Sequence, residues 1–366
     1  MENVLFLQSE VRDPYNIYSR MRTENPVYYD ELNKIWAVYT YKACDEILQA
    51  SQSKIFAPNS LVNKNDELKN ILSNLARLSN GEIHAEARAA AINLMSHWRV
   101  CDAPTLLHSL MGEPRLPATF NWVSEIAIRL PVFALLKGFD FSTRNAVLVL
   151  SEMENLVKLM TPVNTDDEVN TVLKSVRRVK ELFNTHFHKK LPTIQFSDLY
   201  IANFIGLLIQ SYDATRGMIS NSLLHLVNFP ELKPNTHESA LRFVKESTRL
   251  DPPVHNTRRI MYQDIKIGNR KIKKGEQVLV VLASANRDLQ RFINPELFDV
   301  DREVDTLSFG SGIHKCVASN FSTQLTASLL YYLSTKYSKL NLLESEIQYE
   351  ARINVRLPKK ITLIAS

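Results

Sequence analysis

Apolar residues recur at three- and four-residue intervals through most of this chain. Only a few short stretches alternate with period two, so the pattern predicts many helices and a minor sheet. Asp13-Pro14-Tyr15 reads as an N-cap followed by proline in the first turn, predicting a helix from Pro14 to about Asn25 with Ile17 and Met21 on one face. Val27-Tyr28-Tyr29-Asp30 and Ile35-Trp36-Ala37-Val38-Tyr39 are aromatic and β-branched runs that read as a hairpin. Tyr41 to Gln49 returns to a helical pattern. Between Ser51 and Ser79 the pattern weakens under Asn, Lys and Ser, predicting a mobile loop with a short helix near Asp66 to Ala76. Helices are then expected over Gly81 to Met95, Phe120 to Phe139, Ser142 to Met160 and Asp166 to Lys189. Ser197 to Val227 forms one helical pattern long enough to cross a whole domain, about 45 Å. After His237 to Leu250 come short strands at Arg258 to Met261, Ile265 to Ile267, Lys271-Ile272 and Val278 to Leu282. A last helix, Val317 to Lys336, precedes an alternating tail, Leu340 to Ser366, with a turn at Leu357-Pro358.

Composition narrows the class. The chain has 366 residues without repeats or glycine-serine linkers, is 45% hydrophobic and 23% charged, and carries only 9 glycines. Those values suit a soluble globular protein. Its three cysteines, Cys44, Cys101 and Cys316, are widely spaced and odd in number. That argues against a disulfide framework or zinc cluster and suits a reducing cytoplasm. Met1 to Asp13 is acidic and lacks a long apolar run, so neither a signal peptide nor a membrane anchor is expected. The net charge of +5 is spread over many faces, with no dense basic stripe interleaved with aromatics for nucleic acid.

The chemistry concentrates at Phe309-Gly310-Ser311-Gly312-Ile313-His314-Lys315-Cys316-Val317-Ala318. Two glycines flank Ser311, so the backbone can turn sharply and pack closely. The loop delivers one cysteine just before a helix-compatible segment, where a thiolate is stabilised by the helix dipole and free N–H groups. A thiolate ligand pushes electron density onto heme iron and favours O–O cleavage. The same residues also describe a buried free cysteine in a glycine turn.

The run resembles the heme-binding loop of the cytochrome P-450 superfamily, complete except that Ala318 stands where the family has glycine. The resemblance implies a mainly α fold with a small β region, a triangular helical domain with minor antiparallel sheets, spanning residues 1–366 as one domain. It implies heme b between the long helix and the loop, Cys316 as the iron ligand, Phe309, Gly310 and Ala318 beside the heme, and His314 on a propionate. His84 and Arg88, four apart on a helix, by themselves describe a solvated face; they resemble the family's propionate-contacting His-x-x-x-Arg pair. Arg259, with neighbouring Arg258 as the alternative, matches the family's propionate arginine. Glu246-Ser247-Thr248-Arg249 alone describes a surface ion pair. Followed by the helix-breaking Leu250-Asp251-Pro252-Pro253-Val254, it resembles the Glu-x-x-Arg motif, with a structural role. Ala285 to Asp288, Phe292, Pro295, Phe298, Asp299 and Arg302 resemble the segment before the cysteine loop, so the likeness covers almost the whole chain.

The long helix departs from the family pattern. Where relatives carry Ala-Gly-x-Asp/Glu-Thr, this chain has Gln210-Ser211-Tyr212-Asp213-Ala214-Thr215. Asp213 takes the acid position, Ala214 the alcohol position and Gln210 that of the small alanine. Thr215 is displaced by about 100° around the helix. Thr215 can serve if the helix bulges; a substrate hydroxyl or water can replace the alcohol; or the chemistry differs. A proton path through Asp213, water and Gln210 is expected. Gly206, Ile209, Gln210 and Ala214 share a face toward substrate, joined by Val254, His255 and Asn256 after the Pro-Pro turn and by Ile353 near the C-terminus. His255 can bond a polar substrate or be satisfied by the backbone. These polar groups suggest a peptide, amino-acid-derived or polyketide-like secondary metabolite. The resemblance implies a cytoplasmic, monomeric monooxygenase fed by a ferredoxin and its reductase, acting on a small-molecule or peptide substrate. The alternatives are oxidative cross-coupling, nitration, peroxygenation, or a catalytically silent heme or ligand-binding protein.

Overall fold

About 54% of the chain is helical, far above the third typical of globular proteins. The computed structural model describes residues 3–56, 65–112, 117–161, 165–190, 197–303 and 305–366. Part of the loop expected between Ser51 and Ser79, residues 57–64, lies outside them; the rest includes a short strand, Ser53–Ile55, and the helix Asp66–Ser73. The first helix, Pro14–Glu24, starts as its sequence dictates, with the Asp13 carboxylate accepting from the Tyr15 N–H.

The long helix has three parts: an α segment Asp198–Gln210, a π turn Ser211–Thr215, and an α segment Arg216–Asn228. It runs through the core, where Phe204, Ile205, Leu208 and Ile219 are fully buried. Packed against it or its neighbours are the helices Gly81–Ser96, Leu130–Gly138, His237–Leu250 and Ser319–Lys336. The expected helix Phe120 to Phe139 is instead a strand, Thr119–Asn121, a π turn, Val123–Ala127, and the helix Leu130–Gly138. Phe120 is drawn into pairing with Leu363 of the C-terminal strand, and Pro131 starts a new first turn. The helix Ala103–Met111 goes beyond the sequence expectations, although Asp102 caps it, Pro104 sits in its first turn and Gly112 closes it at φ 76°.

The largest sheet orders its strands Val27–Asp30, Ile35–Val38, Gln277–Val280, Thr257–Met261 and Ser53–Ile55. The strand pairs are antiparallel, as the resemblance implies, apart from Ile35–Val38, which pairs in parallel with Gln277–Val280. The long intervening chain permits this, since parallel neighbours need a crossover and not a tight turn. A three-stranded sheet, Thr119–Asn121, Thr362–Ala365 and Leu340–Leu342, and the hairpin Ile265–Ile267 with Arg270–Ile272 are the other sheets among the described residues.

Candidate active site

The cysteine loop is shaped by its glycines. Gly310 and Gly312 adopt φ 72° and 69°, the left-handed region that side chains avoid. A Cβ on Gly312 would also stand 2.7 Å from the Leu48 carbonyl oxygen, so only glycine lets the loop seat on the end of helix Tyr41–Gln49. The Cys316 N–H donates to the Phe309 carbonyl at 3.0 Å and closes the loop. From helix Gly81–Ser96, His84 Nε2 lies 3.1 Å from the Ile313 carbonyl and the Arg88 guanidinium donates to the Lys315 carbonyl at 2.7 Å. The two residues expected on propionates thus brace the cysteine loop itself.

Between this loop and the π turn lies a cavity of about 600 Å³. Cys316 has accessible surface although the protein encloses it closely enough that burial raises its thiol pKa. Its open side is therefore the cavity, which Phe309, Gly310, His314 and Ala318 also line. Arg259 lines it too, is buried, and among the described residues donates only to the neighbouring Thr257 hydroxyl and Arg258 carbonyl. His314 Nε2 is buried without a partner among the described residues. An uncompensated guanidinium and an orphaned imidazole nitrogen at one rim are costly until an anion meets them. Of the two adjacent arginines, Arg259 faces the cavity and Arg258 does not line it. A flat macrocycle with a metal centre over Cys316 and carboxylates toward Arg259 and His314 fits this donor set.

On the opposite wall stand Ile209, Gln210, Asp213, Ala214 and Thr215. The helix does bulge here, and the Thr215 hydroxyl is bonded to Ser322 Oγ at 2.8 Å. The Gln210 amide turns back onto the Gly206 carbonyl at 3.0 Å. Asp213 is 2.9 Å from Arg216, whose buried guanidinium also meets Glu350 at 3.0 Å. Val254 lines the cavity, but His255, Asn256, Gly206 and Ile353 do not. His255 is fully buried, 3.1 Å from the Tyr18 hydroxyl and 3.4 Å from that of Tyr15, with its pKa pushed down by burial to about 3. The Asn256 amide donates to the Ile353 carbonyl and fastens the C-terminal loop. Gly206 packs under Leu75, whose methyl would lie 2.8 Å from an added Cβ.

Arg77, Asn203 and Arg352 also line the cavity and were not foreseen. Arg77 lies in the stretch of weak periodicity, without a motif around it, and nothing local marks it. Asn203 comes from a helix identified correctly and Arg352 from a loop of the C-terminal tail, and which way each turns is set by packing.

Flanking this heme-sized space, the Glu246–Arg249 pair is almost inaccessible. Its guanidinium holds the carboxylate through two bonds of 2.8 and 2.7 Å and donates to the Asn286, Pro295 and Leu297 carbonyls.

A thiolate-facing pocket beneath a π-bulged helix defines a heme-thiolate protein. The family model for cytochrome P-450 matches residues 241–331. The chain is 30% identical to cytochrome P-450 119 of Sulfurisphaera tokodaii over 83% of this chain and 87% of that one. It is 27% identical to cytochrome P-450 119 of Sulfolobus acidocaldarius over 91% and 94%. The crystal structure of P450BioI in complex with an acyl carrier protein ligated to hexadec-9Z-enoic acid superposes with TM-score 0.82 at 22% identity, covering 98% of this chain and all of that one. The chain belongs to the cytochrome P-450 superfamily of heme b monooxygenases. Among the described residues no helix is long and apolar enough to cross a membrane.

Proposed function

We propose that this cytochrome P-450 inserts one atom of dioxygen into a small metabolite bearing polar groups, of a peptide, amino-acid or polyketide kind. A ferredoxin and its reductase supply the electrons, and the enzyme works as a cytoplasmic monomer in secondary metabolism. The carrying observation is the mixed wall opposite Cys316: Asn203, Gln210 and Asp213 stand among Val157, Met160, Ile209 and Val254. Gln210 uses its amide nitrogen on the Gly206 carbonyl and Asp213 one oxygen on Arg216, and among the described residues their remaining oxygens have no donor, which a purely apolar substrate would not supply. Among the relatives are a biotin biosynthesis cytochrome P-450 of Bacillus subtilis, 24% identical, and linalool 8-monooxygenase of Pseudomonas putida, 24% identical. The bacillaene polyketide synthase cytochrome P-450 PksS shares the fold at TM-score 0.78.

Thiolate-ligated heme supplies the oxygen-activating chemistry. Cys316 would ligate the iron, with Arg259 and His314 on the propionates and His84 and Arg88 fixing the loop that carries the ligand. Asp213 would move the proton. Ala214 has no hydroxyl and that of Thr215 is bonded to Ser322, so a water would have to carry the proton from Asp213 into the cavity. Arg216 orients Asp213 through their 2.9 Å ion pair. The same lack of a free alcohol favours oxidative cross-coupling as the second reading.

The test is the reduced carbonyl complex followed by turnover with a surrogate ferredoxin and reductase. A red-shifted Soret band and product heavier by one oxygen atom are expected. An unshifted band removes the thiolate assignment, and coupled dimers without added oxygen favour the second reading.

A further inference from the structure

Arg77 has no use in the scheme so far. It lines the cavity and is solvent-accessible, yet burial lowers its pKa, so its accessible surface opens into the cavity and not onto the outside. Among the described residues it makes no hydrogen bond or ion pair. Its backbone is nonetheless held firmly. The Ala76 N–H donates to Asn203 Oδ1 at 3.0 Å, Asn203 Nδ2 donates to the Asn74 carbonyl at 2.9 Å, and His84 Nδ1 lies 2.8 Å from the Ala76 carbonyl. A rigid mount that presents a free guanidinium to an enclosed space is costly without an anion.

The heme propionates are one candidate anion, but their rim of the cavity already carries the buried Arg259 guanidinium and the orphaned His314 Nε2. The charges acting on Arg77 are Asp213, across the cavity, and Cys316. Arg77 therefore shares the cavity between the cysteine loop and the π turn with both of them. Asp213 does not satisfy it, because Asp213 already pairs with Arg216 at 2.9 Å.

We propose that the pocket takes an organic acid, whose carboxylate is held by Arg77 while its apolar body rests on Val157, Met160, Ile209 and Val254. A guanidinium matches a carboxylate through two parallel N–H donors, which fixes orientation as well as position. The carboxylate would thus aim the remainder of the substrate across the Cys316 side of the cavity. The inference rests on the heme-thiolate reading and narrows its substrate class.

The experiment titrates heme-loaded enzyme with octanoate and phenylacetate, each against its methyl ester, following the heme spin-state change. Wild-type enzyme should bind an acid at least about tenfold tighter than its ester, the scale of a charge-assisted bond. Arg77→Leu should abolish that preference by weakening the acid alone, and Arg77→Lys should retain part of it. Equal wild-type binding of acid and ester overturns the proposal, and this arm needs no variant to fold. Retained preference in Arg77→Leu overturns it too. So does a variant that loses heme while its holo fraction keeps the preference, which would make Arg77 a propionate ligand. Heme content and the reduced carbonyl spectrum, measured on the same samples, separate these outcomes from failure of the heme-thiolate reading.

Discussion

His255 shows how far one residue's role depends on what surrounds it. Sequence places it just after the Pro-Pro turn, two residues from Thr257 on the cavity wall. The structure turns it the other way, into a cluster with Tyr15, Tyr18 and Asp251, where the Tyr15 hydroxyl donates to Asp251 at 2.6 Å. Burial depresses His255 to about 3, and His225 to about 4. An unfolded histidine titrates near 6.5. Below that pH the unfolded chain binds protons that the folded chain refuses, so stability is full above 6.5 and falls as pH drops toward the folded values. For His255 the loss is at most about 1.4 kcal/mol per pH unit. Thermal unfolding of His255→Gln should therefore decline less between about pH 6.5 and pH 5 than that of the wild type. Parallel declines would mean that His255 is not a neutral buried group.

At the scale of elements, the cysteine loop and the long helix behave differently. The loop is nearly self-specifying, because two glycines at positive φ and one contiguous motif build it. Gly312→Ala would force a strained φ and bring its Cβ against the Leu48 carbonyl. Its expected effect is about 1–3 kcal/mol of local destabilisation, read as loss of heme at purification with most helical circular dichroism retained. Full heme content would show that the loop tolerates a side chain there. The long helix, by contrast, is legible as a helix but not as a π-bulged one. The displaced Thr215 makes a bulge one of three readings, but nothing in Ser211 to Thr215 decides among them. The bulge emerges where Thr215 bonds Ser322 and where Asp213 and Glu350 both pair with Arg216. Gly217 then brings the helix so close to the Pro-Pro turn that an added Cβ would lie 2.5 Å from Pro253.

Across the whole molecule, the Glu246–Arg249 pair joins helix His237–Leu250 to the segment leading into the cysteine loop. Glu246 also accepts from the Asp299 N–H at 2.9 Å and lies 3.3 Å from Arg302. Removing one charge from so buried a pair leaves the other uncompensated, which costs about 3–5 kcal/mol. Arg249→Leu should lower the unfolding midpoint sharply and release heme, while the exposed Lys42–Glu46 pair can be removed with almost no effect. Equal responses in a melting experiment would argue that the buried pair does not hold the two parts together.

Sequence alone determined the helical class, most element positions and the Cys316 side of the site. These rest on signals carried within one segment: apolar periodicity, caps, glycines at a turn, a cysteine at fixed spacing. It also marked Asp213 and Ala214 as a departure on the opposite side. Only the tertiary structure decided that His255 and Asn256 support the framework instead of facing the pocket, that Ile35–Val38 pairs in parallel with Gln277–Val280, and that Arg77 stands in the cavity unpaired among the described residues. The physical reason is range. The wall opposite Cys316 is assembled from stretches distant in the chain, and the direction each side chain faces there follows from packing between elements, which no local pattern encodes.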